Sequence, residues 1–171
     1  MTQNDLLAIM PLAKPRIAAF FSPLLAAMEE FQINTPARQA AFLAQIGHES
    51  GQLRYVRELA TGDAYEGRKD LGNLQPGDGR RYKGRGLLQI TGRTNYAVCG
   101  AALGLELIAN PELLEEPVNA CRSAAWFWKS RGLNELADAG DQVKITKRIN
   151  GGTNGLTDRL ALFKVAQGVL A

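Results

Sequence analysis

Residues 52–86 hold seven glycines and one proline, and they lie between two blocks whose apolar residues recur at helical spacing. Glycine and proline both weaken helices, so this stretch cannot carry either block through as one long helix. A long irregular segment inside a compact chain is usually functional or disordered. Tyr55, Tyr65 and Tyr82 give it anchors that disordered segments lack. The expected arrangement is two helical blocks joined by an ordered, loop-rich segment with one or two short helices near Gly62–Leu71. GLLQIT, residues 86–91, adds a short extended or turn element.

The flanking blocks carry their own start and stop signals. A short helix over residues 2–10 is capped near Thr2 and stopped by Pro11. A run from about Pro15 to Phe31 contains Ser22-Pro23, the pattern of an N-cap before a first-turn proline, which reads as one kinked helix or two. Thr35-Pro36 opens a cleaner helix through ARQAAFLAQIGHES that fades at Gly51. Beyond the centre, helices are expected at about 94–103, briefly after Asn110-Pro111, from Pro117 to Gly132, at about 133–139 and 141–149, and from about Leu156 to Leu170. In the Pro117 helix, Val118, Cys121, Ala125 and Trp128 share a face. Asn150-Gly151-Gly152 breaks the chain before the last helix. The pattern is all-α or nearly so, with a minimal β element, and no repeat or linker marks a second module.

At 171 residues and 46% hydrophobic content the chain can bury a real core within one domain. A net charge of +3 is compatible with an anionic partner, whether nucleic acid, cell wall or membrane surface, and selects none of them. Cys99 and Cys121 fall in apolar helical patterns and read as free, small hydrophobes, so a reduced cytosolic history is expected. His48 is the one histidine, which excludes a multi-histidine metal site. MTQNDLLAIMPLAKPR lacks the basic and apolar regions of a signal peptide, and no stretch has the length of a membrane span.

One carboxylate breaks the expected pattern. Phe42, Ile46 and Glu49 stand at i, i+4 and i+7, so a glutamate continues an apolar stripe. Apolar burial raises a carboxyl pKa, and a carboxyl protonated near neutral pH is what general acid catalysis requires. The plainer alternative is that Glu49 swings into water from a fraying helix end. Glycoside hydrolysis needs a second carboxyl. Glu58, Asp63, Glu66, Asp70 and Asp78 follow, and Arg54 and Arg57 stand close enough to keep Glu58 ionised. A solvated loop glutamate explains Glu58 equally well. The basic loop of Arg80, Arg81, Lys83 and Arg85 lacks the Gly-Lys-Ser/Thr phosphate signature, and suits wall polymer, outer-membrane phosphate or plain solvent.

Three runs share a likeness. INTPARQAAFLAQIGHESGQLRYVRE resembles the first motif of the family 19 glycoside hydrolases, in which His-Glu-Ser/Thr-Gly closes a helix. YKGRGLLQITGRTNY resembles their second motif and INGGTNGLTDR a third, in the same order, together spanning about residues 32–165. The nearest likeness is to single-domain phage endolysins acting on Gram-negative peptidoglycan. The resemblance implies a lysozyme-like, two-lobed helical fold with a central cleft. Its larger lobe would take about residues 1–50 and 92–171, and its smaller lobe about 51–91.

Glu49 then matches the general acid, and Glu58 matches the base that activates water. Thr91 stands where a hydroxyl residue helps hold that water. Gln89, Asn95 and Tyr96 match polar positions lining the groove, Asn150 a groove or water contact, and Arg159 a charged position beside the carboxylates. The implied chemistry is inverting hydrolysis with carboxyls about 6.5–9.5 Å apart and no metal or cofactor. The implied partner is the peptidoglycan glycan strand. A monomer is implied, waiting in the host cytoplasm for a separate membrane pore protein, with no nucleic acid and no stable membrane insertion. Gln52 replaces the second glycine of the usual His-Glu-Ser-Gly-Gly, and the disulfides and tryptophan-rich loops of plant members are missing.

Plain structural roles stand beside these. Thr91 could cap a helix, Asn150 could end one, Tyr96, Trp126 and Phe127 could be core, Arg159 could be a surface charge, and His48 reads as structural. A chitinase is the alternative within the class. A basic helical nucleic-acid-binding module is the alternative outside it, and it leaves Glu49 unexplained.

Overall fold

Capping chemistry sets the first helix. Thr2 Oγ1 accepts from the Asp5 N–H, and Asp5 Oδ2 accepts from the Thr2 N–H at 2.6 Å. In the computed structural model, which describes residues 1–171, nine α-helices follow in order. They are α1 (Gln3–Ile9), α2 (Ile17–Glu30), α3 (Pro36–Glu49), α4 (Asp78–Arg81), α5 (Arg93–Leu103), α6 (Pro117–Ser130), α7 (Leu133–Asp138), α8 (Gln142–Asn150) and α9 (Leu156–Leu170). Short 3₁₀ turns cover Pro11–Arg16, Asp63–Tyr65, Lys69–Leu71 and Pro111–Glu115. The β content is two isolated antiparallel bridges, Arg57 with Arg85 and Arg85 with Ile90.

Pro23 does not divide α2. It lacks the N–H for one helical bond, yet Leu24, Ala27 and Met28 are buried just beyond it, so packing carries the helix through. Thr35 Oγ1 accepts from the Arg38 N–H at 3.3 Å and starts α3. Residues Ala40–Gly47 of α3 are buried on every side. α3 is therefore a central helix, and the stripe of Phe42 and Ile46 is one part of a fully covered surface.

α9 lies along α3, and α2 packs on α6. The Phe42 and Trp128 rings meet edge-on at 5.3 Å, and the buried Trp128 indole donates to Asn134 Oδ1 at 2.9 Å. Val118 departs from its expected face. It lies in the first turn of α6 and is 52% exposed, while Cys121, Ala125 and Trp128 are buried.

A second, smaller core gathers Tyr82, Ile90, Tyr96, Cys99, Leu103, Leu107 and Leu114. The apolar packing therefore does not divide near residue 91, because α5 and the turn after it join the smaller core. Asp78, almost fully buried, pairs with Arg93 at 2.7 Å, and that guanidinium holds its carboxyl below the usual range. Burial pushes both cysteine thiols up to about 12, so they behave as packing groups.

Candidate active site

The end of α3 is pinned. Ser50 Oγ donates to the Ile46 carbonyl at 2.6 Å and accepts from the Leu53 N–H at 2.8 Å. Gly51, Gln52 and Leu53 then take φ values of +58°, +57° and +67°, three successive left-handed residues that turn the chain sharply. Left-handed backbone is easy for glycine and strained for Gln52 and Leu53. Burial of the Leu53 side chain and a bond from the Leu12 N–H to Gln52 Oε1 at 2.9 Å hold them there.

Glu49 does not rest on apolar contact, as the sequence pattern implied. Arg159, in the first turn of α9, sits 2% exposed against it, with Nη2 at 2.6 Å from Glu49 Oε1. The contact is a close ion pair without a well-aligned hydrogen bond, and Oε1 itself is shut off from solvent. The exposure that Glu49 keeps, 24% of its side chain, therefore lies away from Oε1. Arg159 also donates from Nη1 to Gln45 Oε1 at 2.6 Å and from Nε to the Asn154 carbonyl at 3.1 Å.

So buried a guanidinium cannot touch a sugar. Arg159 is a positioning residue for Glu49, neither a groove contact nor a surface charge. Gln45 belongs to the same device and was not singled out from the sequence. The available signal was a lone amide one helical turn before Glu49 in an otherwise apolar run. His48 Nδ1 pairs with Asp158 Oδ2 at 2.6 Å, and its ring fills the space where Gly155 would carry a Cβ. It fastens α3 to the start of α9.

The second carboxylate is held by backbone. Glu58 Oε2 accepts from the Gly84 N–H at 2.6 Å and from the Tyr65 hydroxyl at 3.2 Å, and the Glu58 N–H donates to the Gly84 carbonyl at 2.9 Å. Burial and then the Glu58 charge push the Tyr65 phenol upward, which keeps its proton on the bond to Glu58. The arginines expected to hold Glu58 are engaged elsewhere. Arg54 lies over the Tyr55 ring at 5.1 Å, and Arg57 stands 3.7 Å from Glu115.

Thr91 and Gln89 join Glu58 at one point. A Cβ on Gly84 would fall 2.6 Å from Glu58 Oε2, 2.9 Å from Gln89 Oε1 and 3.2 Å from Thr91 Oγ1. Three polar side chains thus converge on the face of one glycine. Gln89 takes φ +48°, and Thr91 Oγ1 donates to its carbonyl at 3.1 Å. Asn95 Nδ2 donates to the Thr91 carbonyl at 2.7 Å. Gln89, Thr91 and Asn95 line a cavity of about 150 Å³ together with Trp126 and Phe127, a mixed polar and aromatic lining suited to a sugar ring.

Gly84→Ala should leave the fold intact, because the atoms it meets are flexible side-chain ends, while it pushes Glu58 aside. A fall in kcat of about 10²-fold is expected, with a thermal midpoint within a few degrees of the parent. A variant as active as the parent removes the convergence on Gly84 from the chemistry.

Tyr96 is not in the groove. It is fully buried, donating to the Lys83 carbonyl and accepting from Arg85 Nη1 at 3.0 Å, so it braces the Gly84 segment from behind. Asn150 is exposed at the end of α8, and its Oδ1 accepts from the Asn154 N–H at 3.3 Å.

The basic loop is tied down. Arg80 pairs with Asp63, Arg81 donates to the Ile108 and Ala109 carbonyls, Lys83 to the Ala60 carbonyl at 3.1 Å, and Arg85 to Glu115 at 3.1 Å. It is neither a phosphate cradle nor a loosely solvated stripe.

The family model for glycoside hydrolase family 19, described as chitinase class I, matches residues 17–135. The chain belongs to glycoside hydrolase family 19. A family 19 domain-containing protein of Haemophilus influenzae is 31% identical over 180 residues, covering 86% of this chain and 88% of that relative. An Arabidopsis thaliana endochitinase is 40% identical over 114 residues, and the match spans 66% of this chain but 39% of the plant protein. Chitinase C of Streptomyces griseus superimposes with a TM-score of 0.81 at 25% identity, covering 99% of this chain and 76% of its own. A bacterial family 19 chitinase gives the same TM-score and identity and is itself covered to 94%. This family 19 member is thus a glycoside hydrolase with a lysozyme-like helical fold.

Proposed function

We propose that this hydrolase is an endolysin that cuts the β-1,4 bond between N-acetylmuramic acid and N-acetylglucosamine by an inverting acid/base mechanism. The observation that carries the mechanism is the unlike tethering of two carboxylates. Glu49 turns one oxygen to a buried arginine, and Glu58 takes hydrogen bonds from a backbone amide and a phenol. A guanidinium carries only N–H groups, so the Glu49 oxygen facing it cannot be the one that bears a proton. The proton that Glu49 must take up to act as the acid can ride only on Oε2, on the side of the carboxyl away from Arg159, and passes from there to the leaving glycosidic oxygen. Glu58, its Oε2 held by Gly84 and Tyr65, takes a proton from a water seated near Thr91 Oγ1 and Gln89 Oε1. That water attacks the anomeric carbon from the face opposite Glu49, and the bond to the leaving sugar breaks as the new C–O bond forms.

The endolysin role is supported by the motif likeness to single-domain lysis enzymes and by two buried, unpaired cysteines, which suit a chain that waits in a reducing host cytoplasm. In that setting it would act as a monomer on glycan strands once a pore protein opens the inner membrane. The named chitinases among its relatives keep a second reading open, cleavage of β-1,4-linked N-acetylglucosamine polymers.

Mass analysis of digested peptidoglycan separates these readings. Products with reducing-end muramic acid are expected. Reducing-end glucosamine would make the enzyme a glucosaminidase, and turnover of chitin with intact peptidoglycan would make it a chitinase.

A further inference from the structure

Gln52 has a consequence beyond its strain. Its side chain ties the N–H of Leu12 to the loop that follows the catalytic helix. This brings the Pro11–Arg16 turn against Gly51, Arg54 and Tyr55 and leaves a pocket of about 370 Å³ between them. Six residues line it: Leu12, Pro15, Arg16, Gly51, Arg54 and Tyr55.

Its chemistry is one-sided. It holds two arginines and no carboxylate. Neither arginine forms an ion pair, although most arginines of this chain do. Arg16 makes one long contact, 3.4 Å to the Leu12 carbonyl, and Arg54 rests on the Tyr55 ring with its guanidinium edge free. The other arginine-rich concavity, around Arg80 and Arg93, contains Asp78 and Glu112, and Arg80, Arg85 and Arg93 in it are ion-paired. Leu12, 67% exposed, adds an apolar wall beside the two cations.

We propose that this pocket binds the carboxylate-bearing peptide stem that hangs from muramic acid. The inference rests on the peptidoglycan reading above. Gly51, which lines the pocket, is two residues from Glu49, so the pocket adjoins the end of the helix that carries the acid. Guanidinium forks match carboxylates, and the leucine and proline wall suits the alanine-like part of a stem. An unsubstituted N-acetylglucosamine polymer carries no anion to place there, so the pocket favours stem-bearing glycans over chitin.

The test uses the full-length enzyme and the double variant Arg16→Gln/Arg54→Gln. Turnover is measured on peptidoglycan strands with stems and on the same strands stripped of them by an amidase, the lactyl carboxylates left by that cut being capped as methylamides. The variant should lose about tenfold in kcat/KM on the stem-bearing strands, the scale of one charged hydrogen bond, and little on the stripped ones. Equal loss on both substrates, or none on either, overturns the proposal. A parallel titration of the ¹⁵N-labelled protein with muramyl dipeptide should move the amide signals of Gly51, Arg54 and Tyr55 in the parent and leave them still in the variant. Unmoved parent signals overturn the proposal whatever the enzyme cuts. Should the parent cleave neither kind of strand, the muramidase reading falls on its own, and the titration alone decides the pocket.

Discussion

Glu49→Gln should abolish glycan hydrolysis while the protein stays folded. The amide keeps an oxygen for Arg159 to contact, so the link between α3 and α9 persists in weakened form and the thermal midpoint moves by a few degrees. What is lost is the transferable proton. General acid assistance is worth about 10²–10⁴-fold in rate, and glycosidic oxygens leave poorly without it, so kcat should fall by at least the lower end of that range with KM little changed. Turbidity loss on purified cell walls, measured beside a thermal melt, gives both quantities. Hydrolysis at the parental rate by a well-folded Glu49→Gln protein would remove Glu49 from the mechanism. A collapse of the melt would instead show that the carboxylate is structural.

The contrast between the settings of Glu49 and Glu58 explains what could be seen in the sequence. Signals that act within a few residues were legible. Thr2 and Thr35-Pro36 open helices, Pro117 opens α6, and Gly151 takes φ +81° to close α8. The second and third motifs were recognisable because a glycine-rich turn and an Asn-Gly-Gly break are local devices. Partners across the fold were not legible from periodicity. It placed Glu49 on the face of Phe42 and Ile46, but a guanidinium arrives from α9 and an amide from Gln45 completes the contact. Proximity along the chain was equally misleading for Arg54 and Arg57, which lie near Glu58 in sequence and bind other groups. Glu58 is held by Gly84, a residue that sequence inspection values only for its flexibility. Tyr96 shows the reverse error. A polar residue inside a groove motif proved to be the post behind the groove, because its hydroxyl was needed to fix Lys83 and Arg85.

Arg159→Leu should give the largest loss of stability of any single change near the site. The guanidinium is 2% exposed and serves three acceptors, Glu49, Gln45 and the Asn154 carbonyl. Removing it leaves Glu49 Oε1 shut off from water without a counter-charge and the Gln45 carbonyl without its donor. Breaking one side of a buried pair costs about 3–5 kcal/mol, which for a chain of this size lowers the thermal midpoint by about 10 °C. Activity measured well below that midpoint should still fall by about 10²-fold, because the acid is no longer aimed. Arg159→Lys should recover part of the stability and little of the activity, since a single ammonium cannot reach three acceptors lying in different directions. A second change separates positioning from mere packing. In Glu49→Leu/Arg159→Leu no charge is left buried, so the double variant should be more stable than Arg159→Leu alone. If the two losses simply add, the ion pair does not couple α3 to α9. Arg159 would then be an ordinary core residue that happens to end beside the acid.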